Sequence, residues 1–332
     1  MPVLSPKRKK KEEKNTWSKL FLSIWHCIYF YKLKKVVFGG SNGRIGVYSK
    51  EGQFVYLQGN EHSNRVRRLK TLPHVHFFAS CSWDSSIKLW DKKSLSYIGD
   101  FSIQRNNVSV NALELIDNET IVGGYSDGHI IIWHITFNNN SNTLVQTQPI
   151  KILNTPSMVL SLKVLPKNFL ASGHEDGRVV IWNLTDYQNF TIFKGNYESI
   201  WDIELIDEVS FAMACSNHRI LVKNFITGEL IHNLTGHSNK VISLKLLPSA
   251  SNLLASGSWD DTIIIWDLNS GQLKTVLRSH QSSVYALDVY DKEKDILVSG
   301  SFDLTLKFWR ISTGQLLETI NTNLNIWSLV LI

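Results

Sequence analysis

A recurring pair of short apolar segments constrains this chain more than any other feature. In the copy from Leu253 to Leu268, the segments LLAS and TIIIW flank a turn rich in Gly, Ser and Asp. This pattern predicts a β-hairpin. The aromatic residue that ends the second segment recurs with gaps of 42, 43, 49, 84 and 43 residues. The period predicts an array of similar units that bury their apolar faces against one another. The recurring residues are Tyr48, Trp90, Trp133, Trp182, Trp266 and Trp309.

Each unit adds one strand before the hairpin and one after it. VISLKLL (241–247) precedes the hairpin described above and GQLKTVL (271–277) follows it. The gap of 84 residues holds two units, with Lys223 at the aromatic position of the first. The gap of 49 residues is explained by an Asn-rich insertion at 137–149, which we predict to be a surface loop. Four short strands in about 40–45 residues are typical of a β-propeller blade.

The motifs of these units resemble those of WD40-repeat β-propellers. They include TGH at 235–237, SGSWD at 256–260 and IWD at 265–267, and the resemblance covers about residues 23–332. It implies an all-β fold, a seven-bladed β-propeller of four-stranded antiparallel blades. We therefore predict a propeller domain over residues 17–332, preceded by a disordered basic tail at residues 1–16.

The resemblance also implies a polar network inside some blades. In this family a His before the first strand, a Ser in the second, an Asp in the turn and a Trp in the third are joined by hydrogen bonds. A buried imidazole and carboxylate are tolerated only when paired, and the indole N–H supplies a further donor. The implied members are His62, Ser80, Asp84 and Trp90 in the second unit, His237, Ser256, Asp260 and Trp266 in the sixth, and His280, Ser299, Asp303 and Trp309 in the seventh.

The other four units depart from this pattern, and we expect packing rather than the network to hold them. The departures are Thr155 for His in the fourth unit, Asn106 and Gly123 for His and Ser in the third, Asn217 and Lys223 for Asp and Trp in the fifth, and Asn42 and Tyr48 in the first.

Ser, His and Asp together suggest a hydrolase, but their distribution argues against an enzyme. The trio recurs at equivalent positions in three units, which suits a scaffold rather than one catalytic centre. The sequence contains no nucleophile elbow, no phosphate-binding Gly loop and no metal-ligand cluster. We therefore predict no catalytic residues, no cofactor and no metal site.

A protein-binding face is predicted at the mouth of the central channel, where partners of this family usually dock. Two kinds of position reach this face, namely the residues flanking the first apolar residue of each inner strand and the residue before each turn Asp. Trp, Tyr and Arg dominate protein interfaces. The alternative is that these aromatic residues cap their own blades. The predicted binding residues are Arg65, Arg67, Trp83, Trp201, Trp259, Tyr285 and Phe302.

The arginines at this face suggest the chemistry of the partner. Guanidinium groups pair with carboxylate and phosphate, so the expected partners are proteins or peptides, acidic or phosphorylated ones among them. An arginine pair on a strand is also compatible with simple solvation. Side chains alternate along a strand, so the adjacent Arg68 should point away from Arg65 and Arg67.

The positive charge is concentrated at the N-terminus. Residues 1–14 carry a net charge of +4, which leaves +2 for the remainder. Lys7, Arg8, Lys9, Lys10 and Lys11 fit a nuclear-import patch, a phosphate- or lipid-binding patch, or a solubilising tail. Three widely spaced cysteines and a charged N-terminus predict a reducing compartment, cytoplasmic or nuclear. The apolar run at 20–31 is too short to span a bilayer, so no membrane association is expected.

Two functions remain open at this stage. The first is a non-catalytic adaptor or substrate receptor, a monomeric ring within a larger complex, which docks proteins on the aromatic face. The second is a nuclear ribonucleoprotein or chromatin complex subunit that uses the basic tail for targeting or nucleic-acid contact.

Two segments compete for the last inner-strand position of the ring. Ile24–Tyr29 is followed at normal blade spacing by VVFGGS (36–41), whereas Ile326–Leu331 places Ser328 where other units have a small residue. Pairing with a nearby segment has the lower entropic cost of loop closure. We therefore expect the N-terminal segment to close the ring and residues 325–332 to be dispensable.

Overall fold

The computed structural model is an all-β structure with seven four-stranded antiparallel sheets and one two-stranded sheet. It describes residues 34–332, apart from residues 50, 72–74, 103–106, 139–143, 146–148, 196, 248–251, 292 and 294. The seven larger sheets are the blades of a propeller, so the predicted fold class is confirmed. The basic tail, Lys7 to Lys11 included, and the segment Ile24–Tyr29 lie outside the described residues, as does Asn106.

The blades follow one another along the chain. Blade 1 contains β1 (Lys35–Gly40), β2 (Ile45–Ser49), β3 (Phe54–Tyr56) and β30 (Ile326–Leu331). Blade 2 contains β4 (Val66–Thr71), β5 (Phe77–Ser82), β6 (Ser86–Asp91) and β7 (Tyr97–Ser102). Blade 3 contains β8 (Val110–Leu115), β9 (Thr120–Tyr125), β10 (His129–His134) and β13 (Pro149–Asn154). Blade 4 contains β14 (Val159–Leu165), β15 (Phe169–His174), β16 (Val179–Asn183) and β17 (Gln188–Phe193). Blade 5 contains β18 (Ile200–Leu205), β19 (Ser210–Cys215), β20 (Arg219–Asn224) and β21 (Leu230–Thr235). Blade 6 contains β22 (Val241–Leu247), β23 (Leu253–Ser258), β24 (Thr262–Asp267) and β25 (Gln272–Arg278). Blade 7 contains β26 (Val284–Asp291), β27 (Ile296–Ser301), β28 (Thr305–Arg310) and β29 (Gln315–Asn321).

The ring is closed by the C-terminal segment, so the expectation that Ile24–Tyr29 fills this position was wrong. Strand β30 pairs antiparallel with β1 and contacts the first strands of blades 2 and 7. Its Ser328 lies opposite Gly39, and Lys35 and Ile332 exchange two backbone hydrogen bonds of 3.0 Å. The entropic cost of loop closure grows only slowly with loop length. The pairing of Ser328 with Gly39 and the backbone hydrogen bonds therefore outweigh the cost of joining two distant parts of the chain.

Seven clusters of the hydrophobic core each draw their residues from two neighbouring blades, and an eighth lies at one end of the channel. Trp309 of blade 7, for example, packs with Leu253 and Ile265 of blade 6. No blade buries its apolar faces alone, which is the physical reason for the repeat period. The Asn-rich insertion forms a small hairpin, β11 (Thr136–Phe137) and β12 (Leu144–Val145), rather than only a loop, and its Phe137 and Leu144 pack against the core of blades 2 and 3.

A β-bulge interrupts the pairing of every inner strand at its second residue. In blade 2, Val66 pairs with Ser82 and Arg68 pairs with Cys81, so Arg67 has no opposite residue. Bulges redirect a side chain relative to the strand. We call the seven bulged residues the bulge ring: Trp327, Arg67, Asn111, Leu160, Trp201, Ile242 and Tyr285.

Further along the inner strands, charges alternate in sign around the ring. Ion pairs join adjacent blades between Lys70 and Glu114 (3.0 Å), Lys163 and Glu204 (2.7 Å), and Lys245 and Asp288 (2.7 Å). Two of the acids also accept a hydrogen bond from a backbone N–H of the next inner strand, Glu204 from Leu246 and Asp288 from Leu331. We call this level the charge ring: Lys70, Glu114, Lys163, Glu204, Lys245, Asp288 and, in β30, Val330.

Candidate functional site

Three blades contain the polar network in the same geometry. In blade 2, Trp90 Nε1 donates to Ser80 Oγ (2.8 Å), Ser80 Oγ lies 2.8 Å from His62 Nε2, and His62 Nδ1 lies 2.8 Å from Asp84 Oδ2. The carboxylate can only accept, so Nδ1 carries the proton in this arrangement. The distances are 2.7–2.8 Å in blade 6 (His237, Ser256, Asp260 and Trp266) and in blade 7 (His280, Ser299, Asp303 and Trp309).

Electrostatics within the network follow from burial and pairing. Burial lowers the pKa of His62, so its imidazole is neutral at pH 7. Burial alone would raise the pKa of Asp84, but its hydrogen bonds with His62 and Ser86 hold that pKa well below the usual range. Every member is therefore satisfied internally, which suits a structural role better than a catalytic one.

Blade 4 builds a related network that the sequence did not reveal. His174, at the end of β15, places Nε2 2.9 Å from Ser172 Oγ, which also accepts from Trp182 Nε1 at 2.9 Å. The expectation that packing alone holds this blade was therefore wrong. Thr155 instead donates to the Gly128 carbonyl of blade 3 (2.7 Å).

In blade 5, Lys223 occupies the tryptophan position and lies over the rings of Phe193 (5.4 Å) and Tyr197 (5.7 Å). In blade 1, Tyr48 donates to Glu318 of blade 7 (3.1 Å), and burial together with this carboxylate raises the pKa of Tyr48 to about 12.

The seven predicted binding residues come together at one end of the channel. Tyr285 packs edge-on against Phe302 (4.5 Å between ring centroids), and Trp259 lies 6.4 Å from Tyr285 and 6.2 Å from Trp201. The guanidinium of Arg65 lies 4.0 Å from the ring centroid of Trp83, and the guanidinium of Arg67 lies 5.5 Å from the ring centroid of Trp201. We call these seven residues together with Trp327 the mouth cluster.

Sequence reasoning missed Trp327, which lies at the centre of this cluster. Its ring is 4.5 Å from that of Tyr285 and 4.8 Å from that of Phe302, and the Arg65 and Arg67 guanidinium groups lie 4.9 and 5.5 Å from its centroid. The residue was missed because β30 was not expected to close the ring. The signal was available, since Trp327 precedes Ser328 as Tyr285 precedes Ala286.

The mouth cluster has a buried floor and an accessible rim. Tyr285, Trp327 and Arg67 are buried, with 4%, 7% and 2% of their surface exposed. Arg65, Trp83, Trp201, Trp259 and Phe302 are half-buried. Backbone N–H groups hold the rim residues in place, because Trp83 donates to Arg65, Trp259 to Lys240 and Phe302 to Ser283, at 3.0–3.2 Å.

Arg68 does not belong to this cluster. Its Nη2 donates to the Trp201 carbonyl (2.8 Å) and lies 3.4 Å from Asp202 Oδ1. The Arg68 guanidinium therefore binds to blade 5 and not to the mouth cluster.

Three stretches of the chain, residues 53–91, 228–267 and 271–310, match the family model of the WD domain, G-beta repeat. These matches and the seven four-stranded blades indicate the same architecture. The chain is a seven-bladed β-propeller that contains WD40 repeats. WD40 propellers generally act as non-catalytic interaction scaffolds.

Two curated proteins and one solved structure illustrate what this chain is similar to. A Periodic tryptophan protein 2 homolog from Dictyostelium discoideum is 25% identical over 72% of this chain and 26% of its own length. Histone acetyltransferase type B subunit 2 from Debaryomyces hansenii is 30% identical over 25% of this chain and 17% of its own. The crystal structure of the computationally designed Ika8 protein has a TM-score of 0.65 and 26% identity, and the match covers 89% of this chain and 86% of that one. The matched region thus spans about a quarter or less of these two curated relatives.

Metal-ligand groups and long apolar helices are both absent from the part of this propeller that the structure describes. No group of three or more His, Cys, Asp or Glu residues within it is placed to hold a metal ion. Within the same residues, no helix is long and apolar enough to cross a membrane.

Proposed function

We propose that this WD40 propeller is an adaptor or substrate receptor that docks a partner protein on the mouth cluster. The observation that supports this proposal is the accessible rim, where four half-buried aromatic residues stand beside Arg65 around one opening. Aromatic and arginine side chains bury a large area at modest entropic cost and dominate protein interfaces.

Folding alone does not require these rim aromatics. In six blades the residue before the turn Asp or its equivalent donates its backbone N–H to the residue before the inner strand, and Ser126, Glu175 and Ser216 fill this position in blades 3, 4 and 5. Each of them makes the same backbone hydrogen bond as Trp83, Trp259 and Phe302 make in the other three blades. The turn therefore forms with a small or polar residue as readily as with an aromatic one, which favours binding over capping.

The test is capture of a partner by the full chain and by a Trp83→Ala/Trp259→Ala double variant. We expect the double variant to fold and to lose the main partner of the wild-type protein. Phe190→Ala is the matched control, because Phe190 is 47% exposed on the outer strand β17, away from the mouth. A double variant that still captures the partner, while Phe190→Ala does not, would move the docking site to the outer rim.

A second candidate function uses the basic tail. Its support is the run Lys7 to Lys11 and the similarity to a histone acetyltransferase subunit. A chromatin or ribonucleoprotein subunit of this kind would reside in the nucleus and would contact nucleic acid through the tail. Removal of residues 1–14 separates the two proposals: the second predicts lost nuclear retention and lost salt-sensitive RNA binding, and the first predicts unchanged partner capture.

A further inference from the structure

The floor of the mouth cluster contains buried hydrogen-bond donors that lack acceptors. Arg67 Nη2 and Trp327 Nε1 are shielded from solvent and have no hydrogen-bond partner among the described residues, and neither has Asn111 Nδ2 of the neighbouring blade 3. The rim adds Trp83 Nε1, Arg65 Nε and Trp259 Nε1 in the same condition. All six atoms are donors, and five of them belong to blades 1, 2 and 3. A buried donor without an acceptor is destabilising, so such a concentration requires an explanation.

Arg67 is the most exceptional member of this group. It is 2% exposed, and its guanidinium lies between the Trp201 and Trp327 rings, 5.5 Å from each centroid. Burial, together with the neighbouring charge of Arg68, lowers the pKa of Arg67 to about 9, which still leaves it cationic at pH 7. Asp202 of blade 5, whose negative charge acts on Arg67, already pairs with Arg68 and accepts a hydrogen bond from the Leu244 N–H.

Asn111 occupies the equivalent position in the next blade. Both residues belong to the bulge ring, and their strands β4 and β8 are in contact. Asn111 is 3% exposed. We call the planar guanidinium of Arg67 and the amide N–H of Asn111, at equivalent positions of adjacent strands, the donor pair; both kinds of donor bind the oxygen atoms of a carboxylate.

We infer that the floor of the mouth cluster is a carboxylate-binding site, which takes an aspartate or glutamate side chain of a peptide docked on the rim. The inference rests on the proposed docking function and specifies its ligand. A carboxylate matches the donor pair in shape, and it brings one negative charge into a largely buried site. A phosphate dianion would bring up to two charges, with a larger desolvation cost.

The experiment uses the full chain and three blocked tripeptides, acetyl-Gly-Asp-Gly-amide, its Asn counterpart and its phosphoserine counterpart, with sodium acetate as a fourth probe. Indole N–H signals of the ¹⁵N-labelled protein report binding, with those of Trp327 and Trp83 assigned by Trp→Phe substitution. We expect the Asp peptide to shift these two signals and to raise the unfolding temperature, and the Asn peptide to do neither.

Arg67→Met provides the decisive comparison. It should weaken Asp-peptide binding by about tenfold or more, which is typical of a lost hydrogen bond to a charged group. Because it removes a buried charge without a partner, the ligand-free variant should unfold at or above the wild-type temperature. Arg67→Lys, which keeps the charge but not the planar fork, should fold and bind weakly, and it serves if the methionine variant does not fold.

Arg68→Met is the matched control. It should unfold at a lower temperature, because Asp202 loses its partner, and it should keep the Asp-peptide response. The inference is overturned by an equal response to the Asp and Asn peptides, by an unchanged response in both Arg67 variants, by tighter binding of the phosphoserine peptide, or by an equal response to acetate alone. If Arg67→Met captures the partner normally while Trp83→Ala/Trp259→Ala does not, docking stands and the carboxylate site fails.

Discussion

Two tryptophans of blade 2, seven residues apart, show how one residue type serves two purposes. Trp90 is 1% exposed, and its indole N–H donates to Ser80 in a network whose members are all paired. Trp83 is half-buried beneath Arg65, and its indole N–H has no partner within the described part of the chain. In blade 2, hydrogen-bond satisfaction, rather than aromatic character, separates the interior of the blade from the mouth. Groups with internal partners stabilise the ring, and groups without them are available to a ligand.

Removal of residues 325–332 should have the largest effect on stability, because it removes a whole inner strand of the ring. The deletion exposes the edge of β1 and part of the core between blades 7 and 1 and between blades 1 and 2. We expect loss of cooperative unfolding and aggregation, measured by calorimetry and size-exclusion chromatography. A soluble deletion variant with one sharp transition would show that another segment can fill the inner-strand position.

Trp266→Ala should have the next largest effect. Trp266 is 1% exposed and donates to Ser256, so truncation leaves a cavity and removes one hydrogen bond from the Ser256 hydroxyl, and it should cost about 3–5 kcal/mol in unfolding free energy. Lys223→Ala at the equivalent position of blade 5 loses only weak contacts with two aromatic rings and should cost about 1 kcal/mol or less. Equal losses in urea unfolding would contradict the distinction between networked and non-networked blades.

Acid should lower the free energy of unfolding, because it protonates a carboxylate of the charge ring. Burial alone would raise the pKa of Glu204, but the charges of Lys163 and Lys245 and the hydrogen bond from Lys163 lower it to about 2. The ordinary glutamate pKa is 4.5, so its stabilising contribution is complete above that pH and is lost as the pH falls towards 2. Urea unfolding at several pH values should show this fall, and Glu204→Gln should be less stable at pH 7 with a flatter acid dependence. An unchanged slope in Glu204→Gln would assign the acid sensitivity to other groups.

Trp83→Ala should have the smallest effect on stability and the largest effect on binding. The substitution removes a half-buried ring and one cation–π contact, so the expected cost is about 1 kcal/mol. Partner capture by the same variant should fall sharply. A loss of several kcal/mol with capture preserved in the folded fraction would instead identify Trp83 as a capping residue, and the comparison with Trp90 would fail.

Much of the fold could be predicted from the sequence because the repeats encode it several times. The turn between β23 and β24, with Ser256 and Asp260, has close copies in blades 2 and 7, so one motif predicts three networks. His174 escaped prediction because it approaches its serine from the end of the second strand, not from before the first. His174 makes the same kind of hydrogen bond from a different position in the chain, and the sequence motif specifies only the usual position.

The mouth cluster could be predicted only in part. Equivalent positions in each unit placed seven of its members on one face, but the eighth, Trp327, depended on which segment closes the ring. That choice rests on interactions between residues nearly 300 positions apart, such as the pairing of Leu331 with Val36, and local pattern does not encode them. The unsatisfied donors of Arg67 and Asn111 likewise depend on what their neighbours leave unpaired.

The charge ring illustrates a constraint of parity. Strict alternation of sign requires an even number of positions, and a seven-bladed propeller has an odd number. Three cations and three anions therefore leave one neutral position, which Val330 fills in the strand that joins the two ends of the described propeller. Because this strand contributes no charge at that level, it can dock or detach without leaving a buried ion unpaired. Detachment would remove the hydrogen bond from the Leu331 N–H to Asp288, but the other six blades would keep their three ion pairs.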